Sequence, residues 1–323
     1  MARDPDPLRR YWHPVAEGRE VAAGPLGVTL LGERIVLFRS AEGVRAFRDV
    51  CVHRGARLSA GRVDGSGCLV CPYHGWSYDG GGRVVRIPSL GRTDAPIPTR
   101  AQATVYRATE RHGLVWVALD EPLVPIADFP EYTDPAYRTF VSVNAPLATS
   151  AGRYTDNGLD ISHFPFIHPG VLGDNDDPVT PECEIVAAPA GFTYNYRRLE
   201  QAGHFSAASA AVTSVTEQHV PFTRRRVLTA PRGHSVQFIT AQPIDDLRCR
   251  VFAIEAIDHS AEVPTDKFIA FTAALLEQDR AIVENQTPLY LDTDPGAELH
   301  MRAPDAVGLA YRRCLREAGI ARA

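Results

Sequence analysis

The spacing of apolar and polar positions changes character part-way along the 323-residue chain. From Tyr11 to about Glu121, short apolar runs alternate with turn residues. VTLLGERIVLFR holds a Gly-Glu turn between two such runs, and VRAFRDVCVH is a further strand. WSYDGGGRVVRI reads as a hairpin around Asp79-Gly80, and GLVWVALDEP closes the section as a buried strand. These runs predict an all-β domain.

A Pro-containing link, Pro122 to Pro135, leads to a section with a longer period. After the strand-like TFVSVNAP, ATSAGRYTDNGLDISHF has the spacing of a helix, with Asn157, Asp160 and His163 every three residues along one face. His168, five residues beyond His163, would rotate off that face. Pro165 is expected to break the ladder and let it swing back. GFTYNYRRL, TRRRVLTA, SVQFITAQPI and CRVFAIEAID predict strands of one antiparallel sheet, with a hairpin turn at Asp245-Asp246. A late helix, FIAFTAALLEQDRAIVENQ, puts Phe268, Thr272, Leu275, Asp279, Ile282 and Gln286 on one stripe, which sets an acid in a mostly apolar face. The expected class is α+β in two domains, 1–122 and 123–323, the second pairing an antiparallel sheet with helices.

Composition is ordinary for a globular chain, 45% hydrophobic and 23% charged. A net charge of -5 argues against nucleic acid or an anionic membrane as partner. Lys267 is the only lysine, a bias without chemical content. Six cysteines in a chain this long do not form a disulfide framework. The start, MARDPDPLRRYW, lacks a signal peptide's apolar core, and no apolar run approaches a bilayer span of about 20 residues. A cytoplasmic location is expected.

The chemistry concentrates between Cys51 and Trp76. Cys51-x-His53 and Cys71-x-x-His74 are two pockets of metal ligands separated by residues 54–70. Two thiolates and two imidazoles suit either a tetrahedral zinc or an iron-sulfur cluster with mixed ligands. Cys68 also forms a zinc-like doublet with Cys71, or is a small buried residue on the strand before the second pocket. Gly55, Pro72 and Gly75 set both pockets in turns where backbone N–H groups approach sulfur. Gly80-Gly81-Gly82 lacks the spacing of a nucleotide-binding loop. The acidic run GDNDDP after His168 lacks the distal Glu of a calcium loop.

Two histidines beside carboxylates fit a 2-His-1-carboxylate iron(II) site. On spacing alone Asp160 is the obvious third ligand, Asp156 lies near the same face, and Asp279 is an acid that needs a cation. His204, His219, His234 and Gln237 are candidates for the lining of a pocket between sheet and helices.

CVHRGARLS and CPYHGW resemble the boxes of a Rieske [2Fe-2S] domain, in which one iron takes two Cys and the other two His. Arg54 after the first His and Trp76 after the second Gly are similar to the Rieske non-haem iron oxygenases. Ala56 and Tyr73 stand where respiratory-chain Rieske proteins carry an extra disulfide pair. NGLDISHFPFIH resembles the large-subunit signature of the same oxygenases residue for residue.

The resemblance runs from HPVA near His13 to ELHMRAPDAVGLAYRR. It implies an N-terminal Rieske domain and a C-terminal helix-grip (START-like) catalytic domain, similar to the alpha-only demethylases and monooxygenases. It assigns Cys51, His53, Cys71 and His74 to the cluster, and His163, His168 and Asp279 to Fe(II). Asp160 and Asn157 join the catalytic set, with Asp160 bridging the electron route from His74 of a neighbouring subunit in a head-to-tail homotrimer. Electrons from NAD(P)H would come through a separate reductase, with or without a ferredoxin. The enzyme would hydroxylate or O-/N-demethylate an aromatic or natural-product small molecule with O2. The other class compatible with the motifs is a Rieske ferredoxin-like electron carrier with an appended ligand-binding domain.

Overall fold

A computed structural model describes residues 6–91, 96–173, 176–200, 210–231, 233–258 and 264–323. The chain divides into two compact units, Met1–Ile126 and Ala127–Ala323, so the division falls inside the Pro-containing link. Among the described residues no helix is long and apolar enough to cross a membrane.

The first unit contains strands β1 (His13–Glu17), β2 (Leu26–Leu30), β3 (Glu33–Ser40), β4 (Gly43–Arg48), β5 (Arg62–Val63), β6 (Leu69–Val70), β7 (Ser77–Tyr78), β8 (Val84–Arg86), β9 (Val105–Arg111) and β10 (Leu114–Ala118). They form a six-stranded antiparallel sheet, β1-β10-β9-β4-β3-β2, and a four-stranded one, β5-β6-β7-β8. The turn between β2 and β3 is Leu31-Gly32, both at positive φ, rather than Gly32-Glu33. Two apolar clusters fill the unit. One, around Val15, Leu37 and Val115, lies at the sheet. The other, around Phe38, Phe47, Leu69 and Tyr78, encloses Cys51 and Cys71.

The second unit starts with β11 (Tyr137–Leu147) and the helices α1 (Ala151–Leu159) and α2 (Phe164–Ile167). Strands β12 (Glu184–Ala188), β13 (Gly191–Glu200), β14 (Ala210–His219), β15 (Thr223–Ala230), β16 (Gly233–Asp245) and β17 (Arg248–Asp258) follow, then α3 (Thr265–Val283) and α4 (Ala306–Glu317). The seven strands form one antiparallel sheet in the order β11-β17-β16-β15-β14-β13-β12. Helix α3 packs on β11, while α1 lies over β16 and β17. Phe129, from the link, stacks on Phe238 of β16 at 5.0 Å.

Three further local expectations require correction. The predicted helix over 148–164 ends at Leu159, because the Asp160 carboxylate accepts the Ser162 N–H at 2.8 Å and competes with the helical ladder. Asp160 and His163 therefore do not share a helical face with Asn157. Pro165 opens a helix rather than breaking one: it lies in the first turn of α2, where its missing N–H has no ladder partner to lose. On α3 the buried apolar positions include Leu276 and Val283, whereas Ile282 is 40% exposed.

Candidate functional site

The two cysteine-histidine pockets are built alike. In the first, the Cys51 N–H donates to Ala56 O and the Gly55 N–H to Cys51 O; in the second, Cys71 N–H donates to Trp76 O and Gly75 N–H to Cys71 O. Gly55 and Gly75 close these loops at φ 73° and 70°, where a side chain would be strained. Cys51 and Cys71 are buried at 2% and 1% exposure, while His53 and His74 are exposed. The imidazole rings lie 4.5 Å apart, and His53 stacks flat on Trp76.

Burial raises the Cys71 thiol, although the Tyr73 and His74 N–H groups point at its sulfur and pull the other way. The Tyr78 hydroxyl sits 3.1 Å from Cys51 Sγ and accepts the Val52 N–H. Burial, with the Cys51 sulfur beside it, pushes the Tyr78 phenol up, so it stays a donor. Two sulfurs in an apolar pocket and two imidazoles at the surface fit a cluster with one iron on each pair. A compact tetrahedral zinc would be less well served by such a split. All six cysteines are free thiols. Cys68 is half-buried and lies just before β6, rather than buried within the strand as expected.

The second centre is in the other unit. His163 and His168 bracket α2, and its turn returns both rings to one side, 5.3 Å apart. Asp279 reaches the same point from α3. Its Oδ1 lies 3.1 Å from His168 Nε2 and 3.5 Å from His163 Nε2. Among the described residues, this is the one group of three metal-binding side chains whose ligand atoms all fall within 4.8 Å of one another.

Each imidazole is tied by its other nitrogen. His163 Nδ1 is 3.2 Å from Asp160 Oδ2, and His168 Nδ1 is 2.7 Å from Gln278 Oε1. Carboxylate and amide oxygens only accept, so both Nδ1 atoms donate, which leaves each Nε2 as the ring atom available to a metal. Asp279 Oδ1 is buried and makes no hydrogen bond despite its short distances to both rings. Three lone-pair donors facing one point repel one another unless a cation lies between them. The set of two nitrogens and one carboxylate oxygen, with further positions open, fits Fe(II).

Asp160 is held below the ordinary carboxylate range: burial would raise it, but the bonds from His163 and from the Ser162 N–H outweigh that. Asp156, an alternative ligand on spacing, is instead paired with Arg312 at 2.7 Å. Asn157 and Asp160 both line a cavity of about 330 Å³, and Asn157 Nδ2 is buried without a hydrogen-bond partner.

Of the pocket candidates, Gln237 bonds Glu255, His219 lies 3.7 Å from Glu217, and His234 is exposed beside Thr229. His204 lies outside the described residues, as do Asp174 and Asn175 of the acidic run. Sequence reasoning missed Gln278. It adjoins Asp279, but its partner His168 is 110 positions away in the chain.

The profile of the Rieske [2Fe-2S] domain matches residues 11–104, and that of the vanillate O-demethylase oxygenase C-terminal domain matches residues 147–321. The chain is 32% identical over 321 residues to the methylxanthine N1-demethylase NdmA of Pseudomonas putida, covering 96% of this chain and 89% of the relative. It is 29% identical to the methylxanthine N3-demethylase NdmB of the same organism, over 99% and 92% of the two chains. The solved structure of P. putida NdmA with caffeine superposes with a TM-score of 0.84 at 30% identity, covering 96% of this chain and 90% of that one. Both cofactor sites, the order of the two domains and this near full-length similarity agree: the chain belongs to the Rieske non-haem iron oxygenases, as an alpha (large) subunit of their demethylase subgroup.

Proposed function

We propose that this oxygenase removes a methyl group from nitrogen or oxygen of an aromatic small molecule, with hydroxylation as the related outcome where no heteroatom bears the methyl. The observation that carries this reading is the convergence of ligand atoms of His163, His168 and Asp279 within 4.8 Å of one another, in a chain that also holds the paired Cys-His loops. Similarity to NdmA supports the N-methyl case.

The [2Fe-2S] cluster and Fe(II) of this family, when bound, supply electrons and activate O2. Cys51, Cys71, His53 and His74 would hold the cluster, and His163, His168 and Asp279 the Fe(II). Asp160 and Gln278 orient the two imidazoles and fix their tautomers. Asn157 lines the cavity next to Asp160. The exposed His74 and the half-exposed Asp160 are where electrons would pass between copies of the chain in a head-to-tail homotrimer, after delivery from NAD(P)H by a separate reductase. The division between cluster domain and iron domain would fall between residues 122 and 127.

In the demethylation, one atom of O2 enters a methyl C–H bond, and the other leaves as water with two electrons and two protons. The bond from nitrogen or oxygen to that carbon then breaks, releasing formaldehyde. The test is oxygen uptake and formaldehyde release across methoxylated, N-methylated and unmethylated aromatic compounds with a reductase supplied. Formaldehyde in proportion to oxygen consumed supports the reading. Oxygen uptake that ignores every compound contradicts it.

A further inference from the structure

Glu255 lies on β17 at 0% exposure. Its Oε1 accepts from Ser142 Oγ at 3.0 Å and from Gln237 Nε2 at 3.3 Å. Ser142 is at the bulge of β11, where the register slips between Val141 and Val143, and this irregularity aims its hydroxyl at the carboxyl. Oε2 is also buried and has no hydrogen-bond partner among the described residues. A carboxyl is thus anchored through one oxygen and left with the other bare. Such a group costs stability unless something satisfies it. Burial pushes the carboxyl up to about 7, against the pull of Ser142, Gln237 and Arg226.

The register fixes which side of the sheet this carboxyl is on. Residues paired directly across antiparallel strands share a face, and Arg226, Gln237, Glu255 and Phe140 form one such row. Phe140 meets Phe268 of α3 edge-on at 6.2 Å, and Arg226 donates to Gly158 O of α1 at 2.8 Å. The row therefore faces the helices. One of them carries Asp279, and the other leads directly into Asp160 and His163. Among the described residues, none bonds the free oxygen.

We propose that Glu255 is a substrate-binding residue, its Oε1 held by Ser142 and Gln237 and its Oε2 accepting a hydrogen bond from a ring N–H or phenolic O–H of the substrate. The enzyme then selects aromatic molecules that carry a hydrogen-bond donor besides the methyl group it attacks, over fully methylated counterparts. This substrate class rests on the demethylase reading above; the binding role of Glu255 does not.

Two matched pairs test it: theobromine, with one ring N–H, against caffeine, and guaiacol, with one O–H, against veratrole. Binding is measured by calorimetry on the metal-loaded full-length enzyme, with formaldehyde release followed separately. Above about pH 8, where a carboxyl raised to about 7 is ionised, a hydrogen bond to it corresponds to a roughly ten-fold or greater preference for the donor-bearing member. Glu255→Gln should bring each pair close to parity, and the change should appear in KM for theobromine and guaiacol. Absence of a donor preference in the unmodified enzyme, whether both members bind alike or neither binds, overturns the proposal. So does a preference that survives Glu255→Gln. Formaldehyde without donor selectivity rejects the role of Glu255 alone, whereas donor-selective binding without formaldehyde rejects demethylation alone.

Discussion

The sharpest local consequence of the iron-site geometry concerns Gln278. Its Oε1 accepts the His168 Nδ1 proton at 2.7 Å, and the His168 ring is almost wholly enclosed, at 2% side-chain exposure. Replacing it in Gln278→Leu leaves a buried N–H without an acceptor, at a cost of about 1–3 kcal/mol. The ring can then turn or change tautomer and withdraw its Nε2 lone pair from the point facing Asp279. Loss of such a partner typically weakens metal binding by about 10–100-fold, or about 1.4–2.8 kcal/mol. Gln278→Glu retains an acceptor and should bind Fe(II) at least as well as the unmodified protein. Titration of Fe(II) against a coloured chelator reads the affinity, and visible absorption of the cluster checks that the first unit is intact. Unchanged Fe(II) affinity in Gln278→Leu, with the protein folded, would refute the role assigned to this hydrogen bond.

Other expectations follow from neighbouring groups. Asp160→Ala should keep the cluster, weaken Fe(II) binding as loss of the Gln278 acceptor does, and lose turnover even when reloaded with Fe(II); full activity with a reductase supplied would remove Asp160 from the electron route. Tyr78→Phe deletes the hydroxyl beside Cys51 Sγ, which favours the extra negative charge of the reduced cluster, so the midpoint potential should fall; a potential that stays or rises contradicts that role. Two buried groups, one in each unit, should contribute to the pH dependence of stability with opposite signs, the changes being each group's own contribution. His13 is buried, donates from Nε2 to Leu8 O, and is lowered to about 4 by desolvation. Its folded form resists a proton that the unfolded chain accepts, so the first unit should lose about 3 kcal/mol as pH falls from 6.5 towards 4. Glu255, raised to about 7, instead holds a proton that the unfolded chain releases. The second unit should therefore lose about 3 kcal/mol as pH rises from 4.5 through 7. Urea titrations of the full chain across this range, with His13→Gln and Glu255→Gln to flatten each slope, measure both signs.

What could be read from the sequence was local. Each half of the cluster site sits within six residues, Cys51 to Ala56 and Cys71 to Trp76, closed by the backbone bonds of its own loop, and so the spacing displayed it. His163 and His168 were legible for the same reason. Asp279 stood out because it is an acid among apolar residues at helical spacing, although the stripe that displayed it is not the buried face of α3. The helix limits were not legible, since Asp160 serves as both helix stop and histidine partner, and only the fold shows its side chain bonding Ser162 N and His163 Nδ1. The strands β12 and β14 escaped notice: exposed positions such as Val186 and Val215 obscure the alternation there. Gln278 and Glu255 are defined by partners more than 100 residues away, His168 and Ser142, and no local pattern marks them.

The central claim is that one chain holds two separate iron centres, and metal analysis tests it directly. Purified, iron-loaded protein should contain three irons and two acid-labile sulfides per chain, two irons from the cluster and one from the site at His163, His168 and Asp279. Asp279→Ala should contain two irons with unchanged cluster absorption. Two irons per chain in the unmodified protein, or three in Asp279→Ala, would contradict the account.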